Sequence, residues 1–256
     1  MDHSFVVLAY GDSPFLAGCL RDLADQSRAA RILVSTSTPS PFIERAAAEA
    51  GAELRVNPEP SGGIAADWNF GLAQAQTRYA TLAHQDDTYA PDFTARCLAL
   101  FAREPQGALC FTGYQEIDDE GAAKSSKISK AKHLIERATI GRREVLRGRR
   151  LLAFLSFGNP LPCSSVTFDR TRLPAFRFSS DYRSNLDWEA WWRLAQAGET
   201  FLHVPERLVG RRHNALTATS TLIADGTRRV EDLQMFRKAW PRPVADAIAW
   251  AYRAGY

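Results

Sequence analysis

The chain has 256 residues, of which 45% are hydrophobic and 24% charged, and its formal net charge is +3. That length holds one large domain or two small ones, and so small a net charge does not point to nucleic acid as a partner. No apolar run approaches the roughly 18–20 residues of a bilayer span, and the opening MDHSFVVLAYGDS has an acid where a secretory leader carries lysines, so the expected location is cytoplasmic.

SFVVLA (4–9) is a short apolar run of the kind a buried strand shows. GDSP follows, where Asp12 or Ser13 can cap a helix with Pro14 in its first turn, running to about Gln26. RILVS (31–35) is the next strand, PFIERAAAEA a helix stopping at Gly51, and AELRV (52–56) a third strand. After the loop NPEPSGG, IAADWNFGLAQAQ is helical, and RYATLA (78–83) is a strand that runs into Asp86 and Asp87. A helix over Pro91–Arg103 precedes a strand over 107–118. Alternation at this spacing predicts an α/β fold, a mostly parallel sheet flanked by helices on both faces.

The second half loses that rhythm. Residues 151–170 read as helix, loop and strand, and SNLDWEAWWRLAQAG (184–198) as a helix capped by Ser184 or Asn185 and ended by Gly198. Residues 200–214 read as strand, turn, strand, and the chain from Asp225 as helix with a break at PRP. Cys19, Cys97, Cys110 and Cys163 form no CxxC pair and no zinc spacing, so they read as buried reduced thiols. Residues 121–150 carry ten Lys and Arg against two acids. This segment is either a solvated loop or a seat for an anion: a phosphate, a diphosphate lipid head or a membrane surface.

Asp86 and Asp87 pose the central question. Adjacent carboxylates repel, and either open water or a bound divalent cation must offset that repulsion. In open parallel sheets ligands sit beyond the carboxyl ends of the strands. Three loops reach that rim: Tyr10–Asp12, Ser35–Thr38 and the acid pair.

Five segments, in order, resemble family 2 glycosyltransferases of the GT-A, Rossmann-like fold over roughly residues 4–220. They are the first strand with Tyr10, WNFGLAQAQTRYATLAHQDD, FTGYQEIDDEG, LDWEAWWRLAQAG and VPERLVGRRHNALTATS. The resemblance implies a nucleotide-sugar half over 1–118, an appended acceptor half over 119–220, and a C-terminal helical extension over 221–256. Two positions depart from the family pattern. VSTSTPS has Ser35 and Thr36 where the family often has acids that contact the nucleotide base, and His84 takes the first acidic place of the D-x-D metal motif.

The resemblance implies an inverting glycosyltransferase that moves a sugar from a nucleotide-diphosphate donor to a hydroxyl of a glycan or lipid-linked acceptor, in cell-surface polysaccharide or glycan assembly. Mg²⁺ or Mn²⁺ would sit on Asp86 and Asp87, and Asp187 would act as base. Donor contacts are expected from Ala9, Tyr10, Asp12, Ser35, Asn69 and Gln85. Asp86, Arg211, Arg212 and His213 would face the diphosphate, where an arginine fork suits phosphate; strand residues alternate, so one arginine of the pair need point inward. Acceptor contacts are expected from Trp188 and Glu189, the alternatives being core packing for the tryptophan and an i, i+4 pair with Arg193 for the glutamate. The basic segment 121–150 would touch the inner face of the membrane. Two other functions stay open: a glycosyltransferase-like scaffold without activity, and a sugar-1-phosphate nucleotidyltransferase. The latter wants a basic glycine-rich loop after the first strand, and AYGDSPFLAG has no Lys or Arg.

Overall fold

The computed structural model describes residues 1–59, 62–124, 134–212, 222–223 and 225–253. Among the described residues nine strands form one sheet in the order β3-β2-β1-β4-β8-β6-β9-β5, with β7 paired to β9. The first four are β1 (His3–Ala9), β2 (Arg31–Thr36), β3 (Glu53–Val56) and β4 (Tyr79–His84), all parallel. β8 (Val166–Asp169) runs antiparallel to both β4 and β6 (Gly107–Ile117), and β6 is parallel to β9 (Thr200–Arg212). The short strands β5 (Thr88–Tyr89) and β7 (Val145–Leu146) each pair antiparallel with β9. The central strands β1, β2, β4, β6 and β9 therefore all point their carboxyl ends to one rim.

Alternation along β1 shows why the sheet is covered on both faces. Phe5, Val7 and Ala9 enter a core with Leu16, Leu20 and Leu23 of α1 (Leu16–Ala24) and Phe93, Cys97 and Phe101 of α4 (Phe93–Arg103). α2 (Pro41–Glu49) adds Ile43 to that core. Val6 points the other way, into a core with Leu72 of α3 (Gly63–Gln74). The same second core holds Phe154 of α5 (Gly148–Leu155), Trp188 and Trp191 of α6 (Leu186–Gln196), and Phe236 of α7 (Thr227–Ala239). Ala245 and Ala249 of α8 (Arg242–Arg253) complete it. Period-2 strands between helices are the physical content of the α/β expectation.

Local chemistry sets the details. α2 starts on Ser40, whose hydroxyl accepts from the Ile43 N–H, with Pro41 in the first turn. α1 begins at Leu16, later than expected: the Ser13 hydroxyl accepts from the Phe15 N–H and the Ser13 carbonyl from the Leu16 N–H, so a turn precedes the helix. Residues 200–212 form one strand, not strand, turn and strand. The predicted turn is a bulge: Val204 pairs with Thr112, and Arg207 with Gly113. Pro205, which has no N–H to give, sits in that bulge. Gly113 is required opposite it, since a Cβ there would lie 3.0 Å from the carbonyl oxygens of Pro205 and Glu206. All four cysteines are free and buried. No helix among the described residues is long and apolar enough to cross a membrane.

Candidate active site

The loop after β1 and the turn after β4 are tied together. Gln85 accepts from the Tyr10 N–H (3.2 Å) and donates its amide to the Tyr10 carbonyl (2.8 Å). With its backbone so held, Tyr10 leaves its side chain exposed, 69% of the residue open to solvent. Asp12 is exposed and accepts from Ser40 Oγ at 2.6 Å, so it braces the start of α2.

The acid pair divides its labour. Asp87 is buried; its Oδ1 accepts from the Arg212 backbone N–H (2.9 Å), and its buried Oδ2 has no hydrogen-bond partner. Asp86 is half-buried. Burial raises the pKa of the Asp86 carboxyl and the neighbouring Asp87 adds to that, while His84 and Arg211 oppose it. His84 packs against Trp68 at 5.3 Å between rings, and its Nε2 is buried without a partner.

Asp187 enters from the other half of the chain, in the first turn of α6. Its Oδ2 accepts from Asn159 Nδ2 (2.6 Å) and its Oδ1 from the Trp188 N–H (2.8 Å). Burial holds its pKa above the usual carboxylate range, against the Trp188 N–H, Arg228, the Asn159 amide and Arg211. Arg211 thus acts electrostatically on both Asp86 and Asp187. Three side chains from the β4 turn, the end of β9 and the start of α6 share one electrostatic neighbourhood.

Several expected contacts lie elsewhere. Trp188 is 1% exposed, donates its indole N–H to the Leu155 carbonyl and meets Phe236 edge-on, so it is core and cannot stack on an acceptor. Glu189 pairs with Arg193 (3.3 Å) and Lys238 (3.8 Å) and is buried between α6 and α7, where its carboxylate is taken up by those two cations. Asn69 exchanges two hydrogen bonds with the Phe178 backbone, at 2.9 and 2.8 Å, which tie its amide to that segment. Ser35 lies inside β2, buried, facing α3 where Gly71 comes close enough that a Cβ would sit 3.3 Å from the serine Oγ. Arg212 is buried: its Nε donates to the Asp86 carbonyl (2.9 Å), its Nη1 to the Asp118 carbonyl, and it stacks on Phe15. It is the fastener of the acid turn, its Nε and Nη1 committed to backbone carbonyls. Ala9 is buried at the end of β1, and His213 lies outside the described residues.

The sequence profile of glycosyl transferase family 2 matches residues 4–165, more than half of the chain. The chain belongs to this family. It is a glycosyltransferase, and the structural neighbours agree on the GT-A fold. S. aureus TarS 1–349 in complex with UDP-GlcNAc superposes with a TM-score of 0.67 at 12% identity, covering 97% of this chain and 70% of that one. The mannosyltransferase PcManGT from Pyrobaculum calidifontis, in complex with GDP-Man and Mn²⁺, gives 0.66 at 15% identity, covering 98% and 69%. A longer TarS structure gives 0.64 at 12% identity, and there this glycosyltransferase spans only 42% of its neighbour. No curated protein matches the chain in sequence.

The acid turn of this glycosyltransferase fits a divalent cation. A carboxylate oxygen that is buried and unpartnered, on Asp87, is an unusual cost that a cation would offset. Among the described residues no three His, Cys, Asp or Glu side chains make a cage by themselves. One or two carboxylates completed by substrate phosphates and water is the set that suits Mg²⁺. Sequence reasoning missed Asp67. Its carboxylate reaches the carboxyl end of β2, accepting from Ser37 Oγ (2.9 Å) and Asn57 Nδ2 (2.8 Å). An acid from α3 thus stands beside the loop after β2, a contact that no local pattern signals.

Proposed function

We propose that the protein transfers a sugar from a nucleotide-diphosphate donor to a hydroxyl acceptor, with inversion, in a reaction that depends on Mg²⁺ or Mn²⁺. The observation that carries this is the acid turn after β4, where Asp87 buries a carboxylate oxygen without a partner beside the half-buried Asp86. The TarS complex with UDP-GlcNAc and the PcManGT complex with GDP-Man and Mn²⁺ support the donor class and the metal.

Asp86 and Asp87 would hold the cation, which supplies charge stabilisation for the departing diphosphate. Arg211 adds a fixed positive charge beside the same oxygens. Tyr10, with its backbone held by Gln85 and its ring open, is placed to lie against the nucleotide base or ribose. Asp187 takes the proton from the acceptor hydroxyl as that oxygen bonds to the anomeric carbon and the bond to the diphosphate breaks. Its raised pKa suits a base that must hold that proton. Arg137, Arg142, Arg147, Arg149 and Arg150 are exposed, and they fit an anionic membrane surface carrying a lipid-linked acceptor in cell-surface glycan assembly.

The test is thermal unfolding of wild type and Asp86→Ala with UDP, GDP, CDP, dTDP and ADP, each with and without Mn²⁺. Ligand at 100 times its Kd adds about 2.7 kcal/mol, a rise of roughly 5–11 °C at this length. The expected result is a shift that needs one nucleotide and the metal and is lost in Asp86→Ala. No shift with any nucleotide at saturation would sink the reading.

A further inference from the structure

The helix that carries Asp187 is not capped by the side chain at its N-cap position. Asn185 stands at its N-cap position, yet its side chain makes no capping hydrogen bond. The Asn185 amide donates instead to Asp232 Oδ1 at 2.7 Å. Buried backbone N–H groups need acceptors. For the segment that leads into α6, ending at its N-cap residue Asn185, the acceptor comes from α7. The carboxylate of Glu231 accepts from three successive backbone N–H groups: Arg183 (2.7 Å), Ser184 (2.8 Å) and Asn185 (2.8 Å). Glu231 is only 6% exposed. One turn earlier on the same helix, Arg228 donates to the Ser184 hydroxyl at 3.4 Å. A single turn of α7 thus grips the three residues that lead into α6.

Charge-assisted hydrogen bonds to a buried carboxylate are among the stronger ones a fold makes. A local cap would shape the helix start alone. This one comes from 46 residues downstream in sequence, so it fixes the start of α6 relative to α7 and to the core they share. Asp187 lies two residues beyond Asn185, with its carboxylate oriented by Asn159 and the Trp188 N–H.

We propose that Glu231 is a positioning residue for Asp187, its carboxylate setting the depth and rotation of the first turn of α6. The inference rests on the reading of Asp187 as the base. Glu231 also neutralises the positive end of the α6 dipole. Arg211 and Arg228 are the cations that act on Asp187 from β9 and α7.

The experiment uses the full chain. The Asp187 carboxyl carbon, assigned by its loss in Asp187→Asn, is titrated by NMR in wild type and Glu231→Gln. Hydrogen exchange is measured in parallel. The expected result in Glu231→Gln is a titration midpoint lower by about 0.2–0.7 pH units, as the dipole is unmasked. Fast exchange should be confined to the amides of 183–185, with the stabilisation by nucleotide and Mn²⁺ retained. A midpoint unchanged from wild type, or slow exchange kept at those three amides, overturns the proposal. Glu231→Asp, which keeps the charge and shortens the reach, guards against misfolding of the first variant. It is expected to lose protection at the same amides, and retention there overturns the proposal as well. Turnover of UDP-GlcNAc or GDP-mannose that survives in Asp187→Asn would refute the base reading and leave the titration untouched, so the two failures are told apart.

Discussion

Asp187 carries a conflict between stability and chemistry. Burial raises its pKa, so the folded protein resists the charge that a base must carry. Asp187→Asn is therefore expected to lower transfer by about 10²–10⁴-fold while leaving stabilisation by nucleotide and metal intact. The effect on stability has a definite sign. A carboxylate whose folded pKa lies above its unfolded value favours the fold while protonated, below the unfolded value near 3.9, and that contribution is lost as pH rises through the folded pKa. Melting temperatures of wild type and Asp187→Asn, compared from pH 4 to pH 7, should show wild type losing ground as pH rises. A constant gap across that range would mean that burial does not penalise the charge.

At the end of β9 two neighbouring arginines have opposite duties, and their alternation along the strand explains it. Arg212 turns inward and binds the acid turn to the end of β6 through the Asp86 and Asp118 carbonyls, with Phe15 beneath its guanidinium. Arg211 is half-buried and acts on Asp86 and Asp187. That one arginine of the pair faces the site follows from strand periodicity. Which one does not, because the bulge at Pro205 resets the register after residue 204. Arg212→Lys keeps a charge but loses the planar fork, and should cost about 1–3 kcal/mol, seen as a lower melting temperature without ligand. Arg211→Ala should leave that temperature nearly unchanged and remove most of the stabilisation by nucleotide. The reverse pattern would exchange their roles.

Across the whole molecule, what was legible is what is local. The parallel strands, the helix over PFIERAAAEA, the acid pair at a strand end and Asp187 in a first turn all follow from periodicity and capping. What was hidden depends on residues that meet only in the fold: Asn69 on Phe178, Asp67 under Ser37, Glu231 at the start of α6, and β8 reversed between β4 and β6. The tryptophans of α6 show the limit well. Trp188 and Trp192 share a face by helical spacing, but only the arrival of Phe236 decides that the face is core.

That dependence makes the C-terminal helices a test of the fold as a unit. Met235 and Phe236 of α7 and Ala245 and Ala249 of α8 lie in the same core as Trp188 and Trp191. Losing a buried phenylalanine side chain alone costs about 3–5 kcal/mol, against a total stability of roughly 5–15 kcal/mol for a domain. Removing residues 221–256 takes Phe236, its neighbours and the Glu231 carboxylate together, and leaves the N–H groups of 183–185 without their acceptor. A fragment of residues 1–220 should therefore bind an apolar dye, lose the near-ultraviolet dichroism of its packed tryptophans and show no cooperative thermal transition. A fragment that melts cooperatively near the temperature of the full chain would show that α7 and α8 are an independent extension, and that the start of α6 holds its place without them.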